Sequence, residues 1–176
     1  MNDPIIKVST ILEKIDMPYC LIGGYAVAAY GAPRYTADVD FLVSRLNDYL
    51  AHLQANLQEE NLSFVLSRTD VLDPLGDIIT IKLTVPVQLI EAKYTYHYKA
   101  IERAQIIKYE NHDLKIISPE DLIILKLKAG GPKDLWDVEN ILSHQEDLDI
   151  TYLLQQTKSL RVDRRFKGIL ARVKQE

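Results

Sequence analysis

The chain contains a single cysteine, Cys20, among 176 residues, so neither a disulfide nor a cysteine-based zinc site can form within it. It has no apolar run long enough to cross a bilayer without charges, and its start, Met-Asn-Asp-Pro, lacks the basic and then apolar pattern of an export signal. A cytoplasmic setting with no membrane partner is the expectation. Positive charge is also in deficit. The 21 Lys and Arg stand against 25 Asp and Glu, a formal net charge of −4, which argues against indiscriminate coating of nucleic acid. Internal repeats and low-complexity segments are absent too, which removes solenoids and long disordered tracts.

What remains is an ordinary globular composition, 47% hydrophobic and 26% charged, in a chain long enough for one compact domain with a small appendage. The tail departs from the acidic balance. Between Lys158 and Lys174 it carries Lys158, Arg161, Arg164, Arg165, Lys167, Arg172 and Lys174 against the single acid Asp163. Such a run is either a solvated helix face or a surface that contacts RNA.

Periodicity divides the chain. Ile5, Val8, Ile11, Leu12 and Ile15 recur at helical spacing behind Asp3 as cap and Pro4 in the first turn. Tyr19 to Ile22 reads as a buried strand that turns through Gly23-Gly24 into a helix over 25–30. Val39, Phe41 and Val43 alternate with Asp38, Asp40 and Leu42, the period of a strand. A helix over 47–57 follows, then strands over 63–66, 78–83 and 87–90, and a hairpin over 105–117 turning at Glu110-Asn111-His112-Asp113. Ser118-Pro119-Glu120-Asp121 is a helix start, Gly130-Gly131-Pro132 a break, and helices fill the remainder. The expected fold is α+β: a mixed sheet with flanking helices over 1–117 and a helical C-terminal part over 118–176 packed on it.

Two features carry chemistry. A Gly-Gly pair between a strand and a helix N-terminus lets phosphates approach backbone N–H groups and the positive end of the helix dipole. Asp38 and Asp40, one residue apart on an extended chain, project to one side with Cα atoms about 7 Å apart. Carboxylates so placed suit divalent ions roughly 3.5–4 Å apart, magnesium being the expected metal. Two acids on one strand face beside Val39, Phe41 and Val43 would otherwise repel each other.

Leu21-Ile22-Gly23-Gly24-Tyr25-Ala26-Val27, followed by Gly31, Arg34, Thr36 and Asp38-Val39-Asp40-Phe41, resembles the signature of the DNA polymerase beta-type nucleotidyltransferase superfamily. Within it the chain is similar to the bacterial AbiEii-type toxins of toxin–antitoxin systems, also through Ile117 to Ala129 and the following Asp134 and Asp137. The resemblance implies a magnesium-dependent transfer of a nucleoside monophosphate from a triphosphate, ATP among them, to a hydroxyl of tRNA or protein. An antitoxin would be the partner. It further implies that Gly23 and Gly24 bind triphosphate, Asp38 and Asp40 ligate magnesium, Lys126 reaches the phosphates and Asp137 orients that lysine or contacts the nucleotide. Where the superfamily commonly supplies a third carboxylate, this chain has Gln88, in Val87-Gln88-Leu89-Ile90. Glutamine is a poor magnesium ligand and no base, so a nucleotide-binding or partner-binding module without catalysis is the alternative.

Other residues admit two readings each. Arg34 either orients a phosphate or makes a structural salt bridge, and Thr36 reads as a local hydrogen-bonding residue. Without the resemblance, Lys126 would snorkel to solvent, Asp137 would pair with Lys133 one turn away, and Trp136 reads as core or interface. In Lys93-Tyr94-Thr95-Tyr96-His97-Tyr98-Lys99 the tyrosines either stack on a base or pack on the sheet.

Overall fold

A computed structural model describes residues 3–69 and 76–175. It divides into two compact units, one of Met1–Tyr25 with Tyr35–Ile117, the other of Ala26–Arg34 with Ser118–Glu176. The stretch 26–34 therefore groups with the C-terminal helices, where the sequence had drawn a line at 117.

Among the described residues the first unit holds a seven-stranded mixed sheet, ordered β3-β4-β5-β2-β1-β7-β6. Its strands are β1 (Tyr19–Ile22), β2 (Val39–Val43), β3 (Phe64–Ser67), β4 (Ile78–Ile81), β5 (Val87–Glu91), β6 (Gln105–Tyr109) and β7 (His112–Ile116). Only β2 with β5 and β1 with β7 run parallel; the other neighbours are antiparallel. Helix α1 (Pro4–Lys14) begins where Asp3 accepts hydrogen bonds from Ile5 N at 2.8 Å and Ile6 N at 3.1 Å, which satisfies two of its orphan donors. It packs with α3 (Leu46–Glu59) and against β5 and β7. Ile5, Val8 and Leu12 of α1, Leu53 and Leu57 of α3, and Phe41, Ile79, Ile81, Val87 and Leu89 of the sheet are buried.

Helix α2 (Gly23–Tyr30) follows β1 without an intervening loop, so both glycines lie inside its first turn. The tyrosine-rich stretch 93–99, for which the sequence reading named no element, leads into α4 (Thr95–Glu102), which packs against β1 and β2. Its buried residues His97 and Ala100 are three apart, a helical spacing, and Tyr94 and Tyr96 stack on each other at 5.6 Å.

The second unit is built of α5 (Pro119–Ala129), α6 (Pro132–His144), α7 (Ile150–Ser159) and α8 (Asp163–Val173). Ser118 Oγ caps α5 by accepting from Asp121 N at 3.1 Å. Leu122, Ile123, Leu127, Val138, Ile141, Leu153, Phe166 and Ile169 form the core of this unit. Trp136, on α6, is 50% exposed, so it is not a core residue. No helix among the described residues is long and apolar enough to cross a membrane.

Candidate active site

In the first unit Asp40 lies on β2 opposite Ile22 of β1 and Gln88 of β5. Gly23 takes φ +68°, and a Cβ placed on it would overlap Asp40 Oδ2 and lie 2.9 Å from Asp40 Cγ. The glycine is thus required twice over, by a left-handed backbone and by a carboxylate packed against its Cα. Asp40 is brought directly beside the first turn of α2.

Asp38 stands one residue before β2, so only Asp40 of the pair belongs to the regular strand. Local bonds hold it there. Thr36 Oγ1 donates to the Asp38 carbonyl oxygen at 3.2 Å and reaches its Oδ1 at 3.4 Å, the local role expected of this threonine. Gln88 Nε2 donates to Asp38 Oδ2 at 3.4 Å, a long bond. Gln88 therefore touches one aspartate and pairs in register with the other. Its amide brings a donor where a carboxylate would have brought a charge.

Other acids near this sheet are engaged. Glu91 Oε1 accepts from Leu46 N at 3.1 Å, and Asp77 accepts from Arg68 and from Thr69 N. The bond from Thr69 N, ahead of the opposing effect of burial, and then the Arg68 guanidinium hold the Asp77 carboxyl below its usual range.

Arg34, Lys126 and Asp137 fall together in the second unit. Arg34 Nε and Nη2 grip Asp137 Oδ1 and Oδ2 at 2.7 and 2.9 Å, a two-pronged pairing. Lys126 Nζ lies 2.9 Å from Asp137 Oδ2 and 2.9 Å from Asp134 Oδ1. Two cations thus balance two anions. Burial works to raise the Asp137 carboxyl, but the hydrogen bonds and charges of Arg34 and Lys126 outweigh it and hold it low. Asp137 takes partners 103 and 11 residues away rather than Lys133, and Lys126 turns inward rather than to solvent.

Asn140, one turn after Asp137, completes the arrangement, and sequence reasoning missed it. Its Oδ1 accepts from Ala32 N at 3.0 Å and its Nδ2 donates to Ala32 O at 3.2 Å. A Cβ on Gly31 would lie 3.0 Å from its Cγ. The available signal was the spacing of Asp134, Asp137 and Asn140, polar residues three apart on one face of an otherwise amphipathic helix. Part of the basic tail is structural: Arg165 Nη1 donates to Leu127 O at 2.8 Å at the end of α5, and Arg172 Nε donates to Glu139 at 3.2 Å.

This fold is that of nucleotidyltransferases. An antigenic nucleotidyltransferase-like protein from Paracoccidioides brasiliensis superposes with TM-score 0.58 at 17% identity, over 95% of this chain and 90% of its own. ANT(2")-Ia in complex with adenylyl-2"-tobramycin gives 0.57 at 13% identity, over 88% and 93% of the two chains. The lincosamide antibiotic adenylyltransferase LnuA, lincomycin-bound, gives 0.53 at 12% identity, over 79% and 94%. Residues 3–167 match the family described as Nucleotidyltransferase of unknown function (DUF6036), and the chain belongs to that family. No curated protein matches it by sequence.

Proposed function

We propose that the first unit binds a nucleoside triphosphate with magnesium at Gly23, Gly24, Asp38 and Asp40 and transfers the nucleoside monophosphate to a hydroxyl, releasing pyrophosphate. The observation that carries this reading is the Asp40 carboxylate set against the left-handed Gly23 in the first turn of α2. Backbone donors for phosphate and an acid for the metal then lie side by side.

The donor set suits magnesium. Asp38 and Asp40 offer oxygen, and among the described residues no group of three His, Cys, Asp or Glu side chains is placed to hold an ion. Magnesium is commonly held by one or two carboxylates, substrate phosphates and water, so two acids suffice. When bound it would neutralise charge on the triphosphate. Gly23 and Gly24 would position the phosphates, and Thr36 would orient Asp38.

Lys126 and Asp137 enter this reading through the resemblance alone, since the second unit by itself accounts for both as members of an ion network. Triphosphate affinity of Lys126→Met separates the roles: a phosphate contact loses affinity, whereas a brace loses only melting temperature. The AbiEii-like resemblance adds a toxin's role, a cytoplasmic site of action, a tRNA or protein acceptor and an antitoxin partner. Growth arrest on induction, relieved by Asp38→Ala, would support that addition.

The test is calorimetry with each triphosphate, with and without magnesium, together with transfer of α-labelled nucleotide to total tRNA and to lysate protein. Absence of both metal-dependent binding and label transfer sinks the reading. Gln88 favours a second one, a nucleotide-binding module without turnover. It would be upheld if the wild type bound triphosphate without transferring it while Gln88→Asp gained activity.

A further inference from the structure

The basic tail lies wholly in the second unit, in the last turn of α7, the corner after it and α8. In α8 Phe166 and Ile169 are buried, while Arg164, Arg165, Lys167, Gly168, Ala171 and Arg172 are exposed. Arg164, Gly168 and Ala171, at i, i+4 and i+7, run along the crest of the exposed face, with Lys167 on one flank and Arg172 on the other. Acid is scarce there. Helix α7 has none, and α8 has only Asp163, 3.5 Å from Lys167, while α6 lends Glu139 to Arg172 at 3.2 Å. Among the described residues Lys158, Arg161, Arg164 and Lys174 are exposed and make no ion pair.

Two residues on this surface run against stability. Val162 N donates to Thr157 O at 2.9 Å and Arg161 N to Lys158 O at 3.1 Å, a Schellman end to α7. Its left-handed position favours glycine, yet Arg161 fills it at φ +59°. Gly168 sits inside α8, where alanine is the better helix former, and a Cβ there would meet nothing within 4 Å. A side chain stands where stability wants none, and none stands where stability wants one. Local rules broken without a gain in packing mark function. Outside the chain both choices serve a partner: the first adds a cation at the corner, and the second leaves a bare crest on which another backbone can close.

The chemistry of the face names that partner. Unpaired Lys and Arg with little acid attract a polyanion. Protein interfaces are anchored by aromatic or other large side chains in pockets, and single-stranded nucleic acid by stacking on aromatic rings. The uncharged residues on the exposed face of α8 are only Gly168 and Ala171. Helices that read B-DNA carry side chains with donors or acceptors for base edges, which these two residues lack. Duplex RNA is recognised by shape, through phosphates and 2′-hydroxyls across a wide, shallow groove, and a flat basic face suits it.

We propose that the α7–α8 corner docks double-stranded RNA by its backbone, without regard to sequence, with Lys158, Arg161, Arg164 and Lys174 on phosphates. This docking needs neither triphosphate nor turnover, so it stands or falls apart from the transfer reading. The experiment follows fluorescence anisotropy of a labelled RNA duplex of about 20 base pairs, mixed in sequence, with the full chain at rising salt. Phosphate contacts by these cations give a slope of log affinity on log salt of about −4, or about a hundredfold loss between about 50 and 200 mM. Arg164→Gln should reduce that slope by about 1 and weaken binding about fivefold. Arg161→Gly and Gly168→Gln should each raise Tm and still weaken binding about fivefold, which a merely solvated face would not show. Binding undetected at about 50 mM salt overturns the proposal. So do a slope near zero, an affinity unchanged in Arg164→Gln and Arg161→Gly, and tighter binding of a DNA duplex, a single strand or polyglutamate.

Discussion

A methyl group at residue 23 would meet the Asp40 carboxylate on a backbone already in the left-handed region. Gly23→Ala should therefore cost about 2 kcal/mol or more, the sum of a left-handed penalty and overpacking. It should also lower triphosphate affinity by moving Asp40. Chemical denaturation and calorimetry would measure the two effects separately, and an affinity left intact would remove Asp40 from the proposed site. Asp137 supplies a second prediction. Its side chain is fully buried and serves both Arg34 and Lys126, so Asp137→Asn removes the buried anion they share, leaving Lys126 with Asp134 alone, and should cost about 3 kcal/mol. Its carboxyl is held below the unfolded value of about 3.9. The stabilisation it brings is complete above about pH 4 and is lost as pH falls further through the folded value. Melts between roughly pH 2 and 5 should show a steeper acid limb in the wild type than in Asp137→Asn, where the lowered Asp77 carboxyl still contributes.

At the scale of elements, α4 has a pH response of its own. Burial lowers His97 to about 4 from 6.5, and its Nδ1 accepts from Lys93 N at 3.1 Å, which requires the unprotonated ring. The unfolded chain binds a proton near pH 6.5 and the folded one does so only near 4. Stability is thus full above pH 6.5 and erodes as pH falls toward 4, by about 3 kcal/mol at about 1.4 kcal/mol per unit. Urea titrations of the wild type and His97→Gln should differ in slope over that window; equal slopes would refute the assignment. Helix α4 was not legible in the sequence. The alternation of Tyr94, Tyr96 and Tyr98 gives no helical period, while the helix is decided by burial of His97 and Ala100, which depends on contacts with β1 and β2. Asp3 with Pro4 and Ser118 with Pro119 were legible because a cap is made within three residues of itself. Gly23 and Asp40 were legible as residue types, but their close approach crosses two strands and has no local sign.

For the whole molecule, membership of a nucleotidyltransferase family and the proposed triphosphate site lead to a thermal prediction. Magnesium with triphosphate at about a hundred times its dissociation constant should add about 2.7 kcal/mol. For a chain of this size that raises Tm by roughly 5–10 °C. Asp38→Ala should abolish the shift; a wild type whose Tm ignores the ligand would count against the site. The ion network of the second unit was the least legible feature of the sequence. Arg34 and Asp137 lie 103 residues apart, and spacing offers Asp137 only Lys133.

The grouping of Ala26–Arg34 with Ser118–Glu176 bears on how the chain is made. During synthesis Ala32 and Arg34 leave the ribosome long before Asn140 and Asp137 exist, so their backbone and charge must wait in water. The second unit closes only when its C-terminal helices arrive. Its completion therefore waits on a loop closure of about a hundred residues, which ranks among the slower steps of folding. A gene cut after Ile117 would not yield a clean half: it would release a first unit trailing nine residues of the second, with Arg34 parted from Asp137 and Ala32 from Asn140.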